Sequence, residues 1–251
     1  MIDLKGCRLL VTGGSRGIGA AVCRLAAAQG ARVAFGYRIE RAAAESLIQT
    51  IEKAGGEAYG VAADLADPTE AEMLVDDAAS RFGGLDAVVN NAGIWKGSPL
   101  EEMSDGEWNE MIGVNLTGSF HVLRAAIPHL KKGGSGSIVN LSSTAGQRGE
   151  SGHSHYAATK GGIISMTKSL AVELAPHGIR TNCVAPGWVD TEMSREALEG
   201  ERAQEIRDAI PLGRPGTADE IAAAVLFLLS DLAGFINGEV INVNGGAVLC
   251  G

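Results

Sequence analysis

The stretch Cys7-Arg8-Leu9-Leu10-Val11-Thr12-Gly13-Gly14-Ser15-Arg16-Gly17-Ile18-Gly19 decides the architecture. Its first half is an apolar run of strand length, and its second half is punctuated by glycine. Beyond it, Ile18, Val22 and Leu25 recur at helical spacing. A strand that turns through glycines straight into a helix presents the helix's first N–H groups, and the positive end of its dipole, above the turn. A phosphate group suits that position. Glycine permits the tight turn and the close approach of an anion, which a side chain at Gly17 or Gly19 is expected to obstruct.

Further strand-like runs follow at Arg32 to Tyr37, Ala58 to Ala62, Leu85 to Asn90, Ser137 to Leu141, Ile179 to Val184 and Val240 to Val243, which makes seven strands in all. Segments of helical period separate them, among them one in which Ile163, Met166, Leu170 and Leu174 fall three or four apart. Helix starts are marked by Asp67-Pro68-Thr69-Glu70, which sets an N-cap oxygen, a first-turn proline and a capping-box glutamate in register, and by Ser104 with Glu107 and Thr217 with Glu220. Parallel strands require crossovers of this length, and those crossovers are right-handed. The expected fold is therefore α/β: a doubly wound, Rossmann-type, seven-stranded parallel sheet with helices on both faces. No Pro/Ser-rich linker, charge block or internal repeat divides residues 1–251, so one domain is expected.

Composition narrows the function classes. Glycine is the unusual count, 35 residues of 251, roughly twice the usual ~7% usage, and most of it punctuates the periodic segments. The net charge of −9 repels nucleic acid and acidic membrane surfaces over most of the surface. The first residues lack the pattern of a signal peptide, and the longest apolar run, Ile221 to Leu229, is too short to span a bilayer. A cytoplasmic protein is expected. Cys7, Cys23, Cys183 and Cys250 lack paired spacings, and His153 and His155 lack a third ligand nearby, so no metal site is expected.

At the end of the second strand the chain reads Gly36-Tyr37-Arg38, where an acid would hydrogen-bond a ribose 2′-hydroxyl. With a cation there instead, Arg38 and Arg16 form a clamp suited to a 2′-phosphate. NADP(H) is the expected cofactor, with NAD(H) the alternative.

Several separated motifs then coincide: Thr12 to Gly19 in the form Thr-Gly-x-x-x-Gly-x-Gly, Asn90-Asn91-Ala92-Gly93 after the fourth strand, and Tyr156-Ala157-Ala158-Thr159-Lys160 opening a long helix, with Ser143 thirteen residues before Tyr156. In these the chain resembles the short-chain dehydrogenase/reductase family over essentially its whole length, and most closely its bacterial 3-oxoacyl-acyl-carrier-protein reductases and small ketone reductases. The residues alone place Tyr156 and Lys160 on one helix face, where an ammonium is expected to lower the phenol by roughly 1 to 3 pKa units. The phenol is then a general acid for a carbonyl oxygen. The resemblance implies that Lys160 also holds the nicotinamide ribose, that Ser143 rather than its neighbour Ser142 donates to the substrate oxygen, and that Asn115 supports a water-linked proton relay. It further implies cofactor contacts from Gly13, Ser15, Arg16, Gly17, Ile18, Gly19, Arg38, Asp64, Leu65, Asn91, Ala92, Gly93, Pro186, Gly187, Val189 and Thr191. For Asp64 a turn-capping role is the plain alternative.

The substrate side is read from position in the fold. Arg148, His153, Trp188 and Met193 are candidate substrate contacts, and the amphipathic stretch Ala197 to Ile210 completes an expected lid over about 188–210. Where acyl-carrier reductases commonly place arginines, Gly134 and His177 stand here. The expected function is NADPH-dependent reduction of a ketone, or of a 3-oxoacyl thioester. The alternatives are an NAD-dependent dehydrogenase of a polyol, sugar or steroid alcohol, and a non-catalytic dinucleotide sensor. The resemblance also implies a homotetramer built through residues Glu110 to Leu130, Ser154 to Ala175 and the C-terminal strand.

Overall fold

The computed structural model describes residues 2–250. In chain order the elements are β1 (Arg8–Val11), α1 (Gly17–Ala28), β2 (Arg32–Tyr37), α2 (Arg41–Lys53), β3 (Glu57–Ala62), α3 (Pro68–Phe82), β4 (Ala87–Asn90) and α4 (Asp105–Ile112). A π turn, Gly113–Thr117, leads into α5 (Gly118–Gly133) and then β5 (Gly136–Leu141), α6 (Thr144–Arg148), α7 (Ser154–Leu174) and β6 (Ile179–Pro186). The chain closes with β7 (Val189–Asp190), α8 (Arg195–Glu199), α9 (Ala203–Asp208), β8 (Gly216–Thr217), α10 (Ala218–Leu229) and β9 (Val240–Val243).

Seven strands pair in the order β3-β2-β1-β4-β5-β6-β9, all parallel. The expected doubly wound sheet is present, with helices on both faces. Strand alternation explains why the strands read as unbroken apolar runs. Leu9, Val11, Val33, Phe35 and Val89 enter the core shared with α1, α2 and α10, while Leu10, Ala34, Val88 and Ile138 turn into the core shared with α3, α5 and α7. Truncating a buried residue such as Leu10 to Ala costs about 2–5 kcal/mol. The strand order reverses at β1 and β4, whose carboxyl ends therefore border the crevice in which ligands of such sheets sit.

Two of the three cap signals form complete boxes, Ser104 with Glu107 and Thr217 with Glu220. The third is different. Asp67 accepts from the Thr69 and Glu70 amides, but Glu70 reaches back to the Asp64 amide at 2.7 Å, so its carboxylate fastens the β3–α3 turn rather than closing a box. The stretch Ala197 to Ile210 is also not one helix: it breaks into α8 and α9 around Gly200, where a Cβ would lie 2.8 Å from the Glu196 carbonyl oxygen. Leu198, Ile206 and Ile210 bury their side chains in a small separate core with Trp188 packed on it. The short β7–β8 pair beneath it lies outside the main sheet and had no signal in the sequence. No described helix is long and apolar enough to cross a membrane.

Candidate active site

A single cleft runs along the carboxyl ends of β1, β2, β4, β5 and β6, from Arg38 and Glu40 at one end to Trp95, Glu150 and Met193 at the other. At its centre is the glycine turn. Gly13 and Gly17 take φ of +63° and +53°, which side-chain-bearing residues resist. A Cβ on Gly13 would lie 2.9 Å from the Ala92 Cα. Gly17 has room around it, so its backbone angle, not crowding, demands glycine there. Gly19 corrects the expectation that its bareness serves a ligand. It lies outside the lining of the cleft, and a Cβ on it would run into the Gly13 carbonyl and the Asn91 amide, so its bareness lets α1 dock on the turn.

Asn91 stitches that turn to β4. Its Nδ2 donates to the Thr12 and Gly13 carbonyls at 2.9 and 3.1 Å, while the Thr12 hydroxyl accepts from the Asn91 and Ala92 amides. Side chains cap α3, α4 and α10, but Arg16 at the start of α1 gives no side-chain cap, and no acid stands in the first turn. The first amides of α1 face the cleft without a side-chain partner, and this chain's residues therefore fit a pyrophosphate.

Of the two arginines expected to clamp a 2′-phosphate, one is already paired. Arg38 and Arg16 both line the cleft, and Arg16 pairs there with Glu40 at 3.3 Å, both partners about half exposed. Such a surface pair is worth little, about 0–1 kcal/mol, and a phosphate can displace it. Asp64 combines the two readings made of it: it lines the cleft, and its Oδ1 accepts from the Ala66 amide in a turn. Ser15, Ile18, Leu65, Ala92, Gly93, Pro186, Gly187, Val189 and Thr191 line the cleft as well, with Thr191 crossing close to Gly17.

Tyr156 and Lys160 project from one face of α7 into the same cleft. The Lys160 ammonium is buried, donates to the Leu141 carbonyl at 2.8 Å and lies 5.7 Å from the centre of the Tyr156 ring. Burial brings Lys160 down to about 8. Burial also pushes Tyr156 up to about 12, with the Ser143 hydroxyl pulling it down and the Glu150 carboxylate adding to the rise. The expectation that Lys160 lowers the phenol is not met in the protein alone: burial dominates, the lowering contribution comes from Ser143, and the phenol holds its proton at neutral pH.

The two serines separate cleanly. Ser142 spends its hydroxyl on the Lys160 carbonyl at 2.8 Å. Ser143 caps α6 by accepting from the Ala145 amide at 3.1 Å, which leaves its own proton free to be donated. Gly146 permits α6 to lie against α7, since a Cβ there would meet the Lys160 and Gly161 backbone within 2.5–2.8 Å. Asn115 sits fully buried in the π turn, outside the lining of the cleft. Its side chain clasps Ile94, accepting from the amide at 2.8 Å and donating to the carbonyl at 2.9 Å, and this holds the strand-end segment at Gly93 beside the Lys160 ammonium.

On the substrate side Arg148, Trp188 and Met193 line the cleft as expected, but His153 does not. Its ring lies flat against Trp95 and its Nδ1 donates to the Ser151 carbonyl at 3.1 Å, so it backs the wall instead of forming it. Trp95 and Glu150 are among the lining residues that sequence reasoning missed. Trp95 follows a recognised motif by two residues, and that proximity was the available signal. Among the described residues no three His, Cys, Asp or Glu side chains gather as a metal would require.

Known proteins resemble this chain in sequence and fold. Residues 13–248 match the family described as enoyl-(acyl carrier protein) reductase. The 3-oxoacyl-(acyl-carrier-protein) reductase of Staphylococcus aureus is 41% identical over 237 residues, 94% of this chain and 96% of its own. That of Escherichia coli is 41% identical over 246 residues, 98% of each chain. The crystal structure of a dehydrogenase/reductase from Sinorhizobium meliloti superposes with a TM-score of 0.94 at 37% identity, covering 99% of this chain and 97% of that one. A short chain dehydrogenase from Burkholderia cenocepacia, solved in complex with NADP, gives 0.93 at 39% identity, covering 98% and 99%.

Proposed function

Because the chain belongs to the short-chain dehydrogenase/reductase family and is an NAD(P)-dependent oxidoreductase acting on C=O or CH–OH carbon, we propose that it reduces a ketone to a secondary alcohol with NADPH. The observation that carries this reading is the meeting of Tyr156, Lys160 and the free hydroxyl proton of Ser143 in the cleft that the glycine turn opens into. A non-catalytic sensor has no need of all three.

When bound, the nicotinamide supplies the hydride. The uncapped start of α1 would hold the pyrophosphate, Arg38 the 2′-phosphate, and Lys160 the nicotinamide ribose, with Asp64 and the Asn91 to Gly93 segment available to the adenosine and Thr191 to the carboxamide. Ser143 donates to the substrate oxygen and keeps it beside the phenol. Tyr156 gives up its proton as negative charge gathers on that oxygen, and the Lys160 ammonium steadies the phenolate left behind. A phenol that rests protonated near neutral pH is in the form a reductase needs. Asn115 acts indirectly by fixing Ile94 and Gly93 beside Lys160. The segment 188–210 closes over the site, its own small core letting it move as a piece.

A screen of NADPH consumption over ketones, 3-oxoacyl thioesters and, with NADP, alcohols tests the reading. Turnover of carbonyls supports it, and an absence of turnover across the set argues against it.

Cofactor choice has its own test. In Arg38→Leu, NADPH affinity measured by fluorescence titration is expected to fall about 10- to 100-fold with NADH affinity unchanged, the worth of a lost charge-assisted contact. Glu40→Gln, which frees Arg16 and removes a like charge, is expected to raise NADPH affinity a few-fold. A parent chain that binds NADH more tightly than NADPH contradicts the assignment.

A homotetramer is part of the same proposal. Trp108 on α4, Phe120 on α5 and Val172 on α7 expose apolar surface, as do Phe235 and Leu249 near β9. Light scattering is expected to give about four chain masses, and a monomer mass rejects it.

A further inference from the structure

Three rings gather at the Tyr156 end of the cleft, none of them assigned to the cofactor. Trp95 follows β4, His153 precedes α7 and Trp188 follows β6. The Trp95 indole lies flat on the His153 imidazole, with centroids 4.5 Å apart and planes 1° from parallel. Trp188 meets Trp95 at 86° with centroids 5.7 Å apart. His153 is itself held, through the Ser151 carbonyl on one side and against Gly97 on the other, where a Cβ would come within 2.9 Å of Nε2. Trp95 therefore rests on a fixed backing, and its Nε1 donates to the Glu150 carboxylate at 3.4 Å.

This wall has a shape and a charge. Two indoles at right angles offer a face and an edge, the two arrangements in which another aromatic ring gains energy beyond simple burial. A flexible acyl chain gains contact area alone and gives up rotational freedom to do so. Arg148 and Glu150 both line the cleft, one cation and one anion, so this pair favours neither charge in a ligand.

We infer that, on the ketone-reductase reading above, the substrate is an uncharged ketone bearing a planar aromatic ring beside its carbonyl, and that Trp95 and Trp188 select it over straight-chain 3-oxoacyl thioesters. Two of the chain's three tryptophans stand in this wall, which supplies a second readout. The test compares an aryl methyl ketone, a straight-chain methyl ketone of equal carbon number and a 3-oxoacyl thioester by kcat/KM, in the parent enzyme, Trp95→Leu and Trp188→Leu. Quenching of tryptophan emission by the aryl ketone is measured alongside.

The parent enzyme is expected to prefer the aryl ketone about tenfold. Trp95→Leu, which keeps apolar bulk, is expected to lose most of that preference while still reducing the straight-chain ketone. Equal or better use of the straight-chain substrates, or a ratio that neither variant changes, overturns the inference and leaves the reductase reading intact. Quenching by the aryl ketone that weakens in Trp95→Leu, without turnover of any ketone, upholds the ring site and overturns the reductase reading instead. If one variant fails to fold, as judged by its circular dichroism, the other decides.

Discussion

Tyr156→Phe is expected to lower kcat for ketone reduction about 10²- to 10⁴-fold while NADPH binding stays within a few-fold of the parent. The substitution removes one oxygen from a ring whose packing it leaves in place. Its effect should therefore fall on the protonation step and not on the fold. Beside the phenol in the cleft, the Ser143 hydroxyl caps α6 and the Lys160 ammonium donates to the Leu141 carbonyl. A variant that keeps near-normal turnover removes Tyr156 from the role assigned to it. One that also loses cofactor binding points to a structural part for the hydroxyl.

Lys160→Met is expected to abolish most activity, by about 100-fold or more, and at the same time to stabilise the protein at neutral pH. Burial holds Lys160 near 8 in the folded chain against 10.5 for a free lysine. Between those values the unfolded chain binds the extra proton, so stability rises as pH climbs from about 8 to 10.5. Below pH 8 the fold carries the whole cost of the buried ammonium, about 3 kcal/mol. Tyr156 works in the opposite sense higher up: its folded value of about 12 lies above the ordinary 10, so stability falls between those limits as the unfolded chain gives up its proton first. Methionine removes the buried charge but strands the Leu141 carbonyl, which returns roughly 1 kcal/mol, and a net gain of about 1–2 kcal/mol remains. Thermal melts of the cofactor-free chain check this. The parent's Tm should rise between pH 8 and 10, and the variant's should start higher and lack that rise. A variant less stable than the parent at pH 7 contradicts the reading of Lys160 as a charge held against its solvation for use in catalysis.

What could be read from the sequence was local or periodic. Apolar runs such as Leu9 to Val11 announced strands because both faces of the sheet are covered, and Ser104 with Glu107 announced a helix start because its cap is made within four residues. Tyr156 and Lys160 were legible for the same reason, since one helical turn fixes their relation. The misread contacts all reach beyond one helical turn. Glu70 turned to the Asp64 amide, six residues back at the end of β3, and not to its own cap. Arg16 found Glu40 only because β2 lies beside β1. His153 was drawn behind the wall by Trp95, 58 residues earlier in the sequence, and neither residue carries a mark of that encounter. Asn115 was recognisable by its place among the motifs, but the π turn that buries it follows from packing of α4, α5 and α7, which no spacing shows.

The central claim is that the Tyr156 hydroxyl hands its proton to the substrate oxygen with Ser143 as the second donor. A crystal structure of the chain with NADP and an unreactive ketone analogue tests it most directly. The account predicts both hydroxyl oxygens within about 3 Å of the analogue's oxygen. A complex with the dinucleotide seated and the Tyr156 hydroxyl turned away, with no space beside it for the ketone, would contradict it.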